Sequence, residues 1–359
     1  MSEHVHTSVS NGTGLIVLDR PKALNSLSLA MVRDIAQALQ AWRDDPAVAA
    51  VVIRSSSEKA FCAGGDIRFF YDVSRAGLQG GSALLEDFFT EEYALNHLVH
   101  FYPKPYIALM DGVVMGGGMG VSQAGPGCRV RIVTERTKMA MPEVNIGLFP
   151  DVGGSYFLSR APGALGYYLG LTGVIINAAD ALYAGLADHY APTEDRAALE
   201  ALLTSTPGTG LAQAIATYAA THRPGDSALA ADRAAIDRHF SAGSVPAIVA
   251  SLKTDDSAFA QKTLQVMATR SPLMMCVTHE LIKRGAALDV ADCLRLERTL
   301  VRHNFENGEV IEGIRALVVD KDNAPQWKPA SLEEVSEEAI QRFFQPVWPS
   351  YAHPLRHLG

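Results

Sequence analysis

Apolar and polar residues follow two different periods near the start of the chain. Residues 7–18 consist of two extended runs on either side of Asn11-Gly12, a pattern typical of a β-hairpin. Residues 28–42 have a helical period instead, which predicts an amphipathic helix with Ser28 as its N-cap. The apolar face of this helix comprises Leu29, Val32, Ile35, Ala36, Leu39 and Trp42.

Short apolar runs, glycine turns and helical segments then alternate as far as residue 134. A helix is predicted over residues 81–101, where apolar positions recur at helical spacing. Buried strands are predicted at residues 48–55, 60–67, 105–114 and 128–134, the second of them running into a glycine turn. This order of strand, turn and helix is typical of an α/β protein.

The pattern changes after about residue 190. Alanine- and leucine-rich helical segments follow one another without convincing buried strands, and residues 223–227 read as a loop between two of them. We therefore expect a mixed α/β core over residues 1–200 and a helical portion over residues 201–359 that packs on it.

The amino-acid composition indicates a soluble protein and argues against nucleic-acid binding and membrane spans. Of the 359 residues, 48% are hydrophobic and 19% charged, as in an ordinary soluble protein with a sizeable core. A net charge of -8 argues against a nucleic-acid surface, and no apolar run is long enough to span a membrane. The first residues show neither a signal peptide nor an Arg-rich transit peptide, so we expect a cytoplasmic protein.

Metal and disulfide chemistry have little support. The four cysteines, Cys62, Cys128, Cys276 and Cys293, lie far apart in sequence, which fits a reducing compartment. Residues 279–283 miss the H-E-x-x-H pattern because Lys283 replaces the second histidine, and no histidines cluster. We expect no metal site.

Two glycine turns each follow a predicted strand. The sequences CAGGD (62–66) and MGGGMG (115–120) expose bare backbone whose N–H groups can point at a ligand. Two such groups that converge would form an oxyanion hole, in which each donor lowers the activation barrier by about 3–4 kcal/mol. The alternative is that these glycines only permit tight turns and close packing.

The segment MPEVNIGLFPDVGG (141–154) combines burial with acidity. It is mostly apolar, glycine and proline, yet it carries Glu143 and Asp151. A buried carboxylate is costly unless it is paired, hydrogen-bonded or used chemically. These two acids are therefore either satisfied structural groups or reactive ones.

Several motifs together resemble the crotonase (enoyl-CoA hydratase/isomerase) superfamily. They are LDRPKALNSLSLAMV, AFCAGGDI, PYIALMDGVVMGGGMG and MAMPEVNIGLFPDVGGSYFLSR, in that order. TEEYALNHLV (90–99) and EGIRALVVDKDNAPQWKPASLEEV (312–335) resemble its 3-hydroxyisobutyryl-CoA hydrolase branch in particular. The resemblance implies a ββα-spiral core that binds an acyl-CoA thioester, with the oxyanion hole on the backbone N–H groups of Gly65 and Gly117.

The acids decide which reaction the resemblance implies. Hydratases of this superfamily use two glutamates, and Glu143 matches one of them, but Gly120 occupies the position of the other. Hydratases also carry a small residue where this chain has Asp151. The pattern is that of the hydrolase branch, which implies Glu143 and Asp151 as catalytic acids, with Glu143 acting either as nucleophile or as the base that activates water.

The same resemblance implies the substrate contacts. Glu92 and Gly117 would contact the substrate, Glu92 through its 3-hydroxyl group, although a solvated helix face is the alternative reading of Glu92 alone. The CoA moiety would lie along residues 20–25 and 60–67. Candidate contacts there are Ala63, Gly64, Asp66 and Ile67, with Arg20, Lys22 and Lys59 as candidates for the phosphates.

We therefore expect hydrolysis of a short branched 3-hydroxyacyl-CoA, namely 3-hydroxyisobutyryl-CoA from valine breakdown. The alternatives are an enoyl-CoA hydratase or isomerase on the same fold, and a non-catalytic acyl-CoA-binding protein. No separate cofactor is expected, since CoA is part of the substrate. The superfamily is commonly trimeric or a dimer of trimers, which implies a homo-oligomer unless the C-terminal helices cover that surface within one chain.

Overall fold

The computed structural model describes residues 3–76 and 82–359, so Gly81, at the start of the predicted helix, lies outside the described residues. The chain divides into two compact units, each discontinuous in sequence. The first unit comprises residues 1–65, 94–140 and 175–230, and the second comprises residues 66–93, 141–174 and 231–359. The boundary expected at residue 200 stays a prediction.

Within the described residues, every β-strand belongs to the first unit. The strands are β1 (Val5–Ser10), β2 (Thr13–Leu18), β3 (Ala50–Ser55), β4 (Ala60–Cys62), β5 (Tyr106–Met110), β6 (Val113–Met115), β7 (Arg129–Val133), β8 (Lys138–Ala140) and β9 (His189–Tyr190).

Helices occur in both units. They are α1 (Leu29–Arg43), α2 (Ile67–Ala76), α3 (Ala83–His100), α4 (Gly117–Gly120), α5 (Gly154–Ser159), α6 (Leu165–Thr172), α7 (Ala178–Tyr183), α8 (Arg196–Ser205), α9 (Gly208–Ala219), α10 (Ala228–Ala231), α11 (Arg233–Phe240), α12 (Val245–Lys253), α13 (Ala258–Met267), α14 (Pro272–Gly285), α15 (Val290–Asn307), α16 (Glu309–Ile314) and α17 (Glu337–Phe343).

The predicted hairpin and first helix are confirmed. Strands β1 and β2 pair in antiparallel register, and Asn11 and Gly12 adopt φ angles of 50° and 75° in the turn between them. Helix α1 begins after Ser28, whose side chain accepts a hydrogen bond from the Met31 N–H. Its buried face packs on β1 and β2, and Gly14 in β2 leaves room for the ring of Trp42.

The strands of the first unit form two sheets. The six-stranded sheet has the order β1-β2-β3-β5-β7-β9, and the three-stranded sheet has the order β4-β6-β8. From β3 to β8 each strand of the larger sheet is followed along the chain by one of the smaller sheet. All pairings after β1–β2 are parallel. This succession has the ββα order that the resemblance implies.

The prediction of one strand over residues 105–114 is wrong. This segment forms two strands, β5 in the large sheet and β6 in the small one, separated by Asp111 and Gly112. Gly112 has a φ angle of 77°, and a Cβ atom at this position would overlap the carbonyl group of Lys59. Glycine thus allows the chain to turn from one sheet into the other.

The smaller sheet brings the two glycine turns together. Because β4 and β6 are parallel neighbours, with Cys62 opposite Val114, the turns that follow them leave the same edge. Gly64 has a φ angle of 105°, and a Cβ atom there would lie 3.6 Å from the backbone nitrogen of Gly117. The two turns therefore lie close together.

The second unit, within its described residues, is built of helices and short turns. Its central helix, α14, is buried along most of its length and packs against α5, α6 and α17. Helix α15 packs against α5, α16 and α17. Of the acidic residues described below, Glu143 and Asp151 lie in the segment before α5, and Glu92 and Glu297 lie on helices α3 and α15.

Gly118→Ala tests the contact between the glycine turns. Its Cβ atom would overlap the carbonyl oxygen of Cys62, so we expect the free energy of unfolding to fall by about 1–3 kcal/mol. The control is Gly127→Ala, because a Cβ atom at Gly127 has no neighbour within 4 Å. Denaturant unfolding measures both variants, and equal stabilities would contradict the contact.

Candidate active site

Four of the buried carboxyl groups in the second unit form a cluster. Glu92, Glu143 and Asp151 expose only 2%, 5% and 5% of their surface, and Glu297 exposes none. The negative charge of Asp151 raises the pKa of each of the other three, which shows that the four groups are close in space. The alternative reading of Glu92 as a solvated helix residue is therefore wrong.

Glu143 begins a 3-10 turn over Glu143–Ile146 that is held from several sides. Gly147 ends the turn with a φ angle of 69°, where a Cβ atom would overlap the carbonyl oxygen of Glu309. Asn304 donates to the Gly147 carbonyl oxygen at 2.9 Å, and Arg270 donates to Asn145 Oδ1 at 2.5 Å. The backbone that carries the Glu143 carboxyl group is thus fixed.

Asp151 follows a Phe-Pro pair and precedes a strained turn. The hydroxyl group of Tyr93 donates to Asp151 Oδ2 at 2.7 Å. After Asp151 the chain enters the left-handed region, with φ angles of 53° at Val152 and 88° at Gly153. This conformation is costly for a β-branched residue such as Val152.

Asp151, Glu143 and Glu92 have different pKa values because their surroundings differ. Burial raises the pKa of Asp151 to about 6, and the hydrogen bond from Tyr93 opposes that rise. Burial, followed by the charge of Asp151, holds the pKa of Glu143 and that of Glu92 well above the usual range. Asp151 is therefore the more readily ionised member of the pair.

Two carboxyl oxygens of the cluster lack a partner among the described residues. Among the described residues, neither Glu92 Oε1 nor Glu143 Oε2 has a hydrogen-bond partner, although both atoms are buried. Unpaired buried oxygens are unfavourable in a purely structural role. The alternative of satisfied structural acids thus fits Glu297, which accepts three hydrogen bonds, better than it fits Glu143.

The glycine turns of the first unit offer backbone donors. Ala63 N–H donates to the Leu24 carbonyl oxygen, and the Gly64 carbonyl oxygen accepts from Leu27. Within the described part of the chain, no hydrogen bond engages the N–H groups of Gly65 and Gly117. The two unengaged donors follow neighbouring parallel strands, which suits an oxyanion hole.

The other predicted contact residues lie on either side of the division between the units. Ala63 and Gly64 belong to the first unit, and Asp66 and Ile67 open the second. Asp66 accepts a hydrogen bond from the Phe69 N–H at the start of α2, which gives it a capping role.

The three basic candidates belong to the first unit. Lys22 and Lys59 are exposed, whereas the Arg20 guanidinium group donates to Ser26. Asn25 ties this loop to β4 by donating to the carbonyl oxygens of Ala60 and Phe61, each at 3.1 Å.

A separate open pocket lies in the first unit at the carboxyl ends of β3, β5 and β7. Arg54, Asp111 and Thr134 are among its lining residues, and none of the predicted site residues lines it. Across residues 3–76 and 82–359, no group of three His, Cys, Asp or Glu side chains is arranged to hold a metal ion. No helix in the same ranges is long and apolar enough to cross a membrane.

Sequence reasoning missed Tyr93 and Glu297. Tyr93 directly follows Glu92 on α3, within a motif that carries the family resemblance. Nothing in the sequence indicates its contact with Asp151, which lies 58 positions further along the chain. Glu297 precedes Arg298 in an ordinary-looking amphipathic helix, where charges are expected to face solvent. The side chains of Glu297 and Arg298 are buried instead.

Comparison with known proteins gives the class. Residues 13–344 match the family model described as enoyl-CoA hydratase/isomerase. The chain therefore belongs to the enoyl-CoA hydratase/isomerase family, and it has the crotonase fold.

Several similar curated proteins share one name. The chain is 41% identical to the mitochondrial 3-hydroxyisobutyryl-CoA hydrolase of Xenopus laevis over 92% of this chain and 86% of that protein. It is 38% identical to the protein of the same name from Homo sapiens, over 96% of this chain and 89% of that protein.

Two solved structures are also similar over nearly the whole chain. A carnitinyl-CoA dehydratase from Mycobacterium thermoresistibile superimposes with a TM-score of 0.89 at 42% identity, covering 97% of this chain and 98% of its own. An enoyl-CoA hydratase from Rhodobacter sphaeroides superimposes with a TM-score of 0.86 at 36% identity, covering 96% and 98%.

Glu143→Gln tests the burial of the acid. The folded protein binds the Glu143 proton more tightly than the unfolded chain does, so the wild type loses stability as pH rises above about 4.5. Glutamine cannot ionise, and we expect the Tm of the variant to exceed that of the wild type by about 3 °C or more at pH 8, and by less at pH 5.

The matched control is Glu312→Gln, also in the second unit. Hydrogen bonds from Arg315 lower the pKa of Glu312, so its carboxylate contributes stability above the unfolded pKa and loses it in acid. This variant should have a lower Tm than the wild type at pH 8. A Glu143→Gln difference that does not change with pH would contradict the assignment.

Proposed function

We propose that this chain hydrolyses the CoA thioester of a short branched 3-hydroxy acid, with 3-hydroxyisobutyryl-CoA as its substrate. The observation that carries this proposal is the buried pair Glu143 and Asp151, combined with glycine at position 120. The shared name of the curated relatives supports it. A place in valine breakdown would follow from this substrate.

The proposed chemistry divides the work between backbone and side chains. The N–H groups of Gly65 and Gly117 would stabilise the negative charge that develops on the thioester oxygen. Glu143 would attack the carbonyl carbon or activate a water molecule, and Asp151 would accept or return the proton. Asp151 suits that task because its pKa of about 6 leaves it ionised near neutral pH.

Two routes are chemically open at Glu143, a covalent anhydride and general-base attack by water. Turnover in oxygen-18 water distinguishes them, because the hydrolysis of an anhydride can leave label in the Glu143 carboxyl group. Label in Glu143 after many turnovers would support the covalent route.

Hydration is the second candidate, because the two similar solved structures are called a dehydratase and a hydratase. A two-glutamate hydratase needs a second acid beside Glu143, and the resemblance places that acid at position 120. Gly120 lies buried in α4 and has no proton to give. For this reason we favour hydrolysis over addition of water to a double bond.

The same proposal assigns the remaining contacts. Glu92 Oε1, which is buried without a partner among the described residues, would accept the 3-hydroxyl group of the substrate. The CoA portion would contact Ala63, Gly64, Asp66 and Ile67, with Arg20, Lys22 and Lys59 as candidates for its phosphates. We assign no cofactor beyond the CoA of the substrate.

Location and assembly stay predictions. The relatives are named as mitochondrial proteins, so the cytoplasm expected for this chain is not established. A trimer or dimer of trimers is likewise proposed from the superfamily alone.

The direct test measures free thiol released from 3-hydroxyisobutyryl-CoA. We expect rapid release by the wild type and a loss of about 100-fold or more in kcat for Glu143→Gln and for Asp151→Asn, since each removes a group that moves protons. The assay is clean because every cysteine is buried in the folded protein: Cys62, Cys128, Cys276 and Cys293.

Crotonyl-CoA serves as the control substrate for the same preparation. Hydration of crotonyl-CoA without thiol release from 3-hydroxyisobutyryl-CoA would overturn the proposal in favour of a hydratase. Alanine variants of Glu143 and Asp151 that leave every thioester activity unchanged would favour a non-catalytic binding protein.

Tyr93→Phe tests the role of the tyrosine hydroxyl group. The hydrogen bond from Tyr93 lowers the pKa of Asp151, so its loss should move the rise of kcat/KM with pH, expected near pH 6, to higher pH. At pH 6 we expect kcat/KM to fall about tenfold. Tyr102→Phe, which removes a buried hydroxyl bonded to the Leu39 carbonyl oxygen, should keep the wild-type profile. An unshifted profile for Tyr93→Phe would contradict the role.

A further inference from the structure

Glu297 on α15 is the most completely hydrogen-bonded acid of the cluster. Its Oε2 accepts from the Gly153 N–H at 2.8 Å. Its Oε1 accepts from the Ser155 N–H at 2.9 Å and from the Ser155 hydroxyl group at 2.5 Å. All three donors lie in the four residues that follow Asp151, and 142 or more residues of chain separate them from Glu297.

We propose that Glu297 is a positioning residue, which fixes the Asp151 carboxyl group by holding the backbone of residues 153–155. This inference rests on the proposed hydrolase function, because it assigns a role within that reaction. Glu297 touches neither the thioester nor water in this role. It acts through the turn that carries Asp151.

The backbone between Asp151 and the held residues explains why such a clamp is needed. Val152 and Gly153 have φ angles of 53° and 88°, and the Gly154 N–H donates to the Asp151 carbonyl oxygen at 2.7 Å to close the turn. Valine disfavours the left-handed region, so this turn would relax without an external partner. Relaxation at Val152 would rotate the adjacent Asp151 and move its carboxyl group away from the Tyr93 hydroxyl group.

The donor pattern requires a carboxylate. Three donors converge on two oxygens, and a carboxylate can accept at both. An amide of the same shape has one accepting oxygen, and its NH₂ group would face either the Gly153 N–H or the two donors of Ser155. Glu297→Gln therefore breaks the clamp while leaving almost no cavity.

The groups facing Glu297 are acidic or neutral. Among the described residues no Lys or Arg forms an ion pair with it, and the neighbouring Arg298 is paired with Glu86 and bonded to Thr90. The titratable groups that interact with Glu297 from its own helix and from the segments packed against it are Cys293, Tyr93, Glu143 and Asp151.

Protonation of Glu297 should weaken the clamp. Burial raises the pKa of Glu297 to about 8, and the hydrogen bonds from Ser155 and Gly153 oppose that rise. Below this pH one oxygen carries a proton, so the carboxyl group no longer suits three donors. In addition to the rise of kcat/KM near pH 6 that is assigned to Asp151, the kcat of the wild type should therefore rise near pH 8.

The experiment compares kcat, KM and the pH profile of three variants with the wild type, using 3-hydroxyisobutyryl-CoA. For Glu297→Gln we expect kcat to fall about tenfold or more, KM to stay within about twofold, and the rise near pH 8 to disappear. The control is Asp180→Asn in the first unit, because Asp180 is also a buried acid that accepts from a serine hydroxyl group and a backbone N–H. It should lower Tm and leave kcat, KM and the pH profile unchanged.

Ser155→Ala keeps the inference testable if Glu297→Gln does not fold. Loss of the Ser155 hydroxyl group removes one bond to the carboxylate, so the rise near pH 8 should move to higher pH. The proposal is overturned if Glu297→Gln keeps the wild-type kcat and profile, or if the Ser155→Ala profile does not move. A wild type that releases no CoA would refute the hydrolase function instead, which is a separate outcome.

Discussion

The candidate site depends on the burial of four carboxyl groups within one unit. Each carboxyl group loses its hydration, and the negative charge of Asp151 adds repulsion to the other three. Hydrogen bonds offset this cost for some of the four carboxyl groups and not for others. Glu297 is satisfied by three donors and Asp151 by Tyr93, whereas Glu92 and Glu143 each retain a buried oxygen without a partner among the described residues. The unsatisfied groups are the ones with a proposed task on the substrate.

Much of the fold could be predicted from local patterns. The Asn11-Gly12 hairpin and helix α1 were predictable because a turn dipeptide and a helical period are encoded within a few residues. The split of residues 105–114 into β5 and β6 was not, because a continuous apolar run does not reveal which sheet each half joins. Only the close approach of Gly112 to Lys59, 53 positions earlier in the sequence, explains the break.

The sequence likewise predicts only part of the candidate site. Glu143 and Asp151 are evident as acids in an apolar segment, and their motif carries the family resemblance. The residues that support them are hidden because they come from distant parts of the chain. Helical spacing predicts that a charged pair such as Glu297-Arg298 faces water, yet both side chains find buried partners that no periodicity can indicate.

The left-handed backbone at Val152 has a practical consequence for protein engineering. A redesign that optimises stability alone would replace this valine with glycine or asparagine and would neutralise the buried acids. Each change would raise the stability of the protein, but together they would remove the interactions that hold the Asp151 carboxyl group in place. Residues 150–155 and their partners on α3 and α15 should therefore be held constant in any effort to make this protein more heat-resistant, leaving the surface as the region open to improvement.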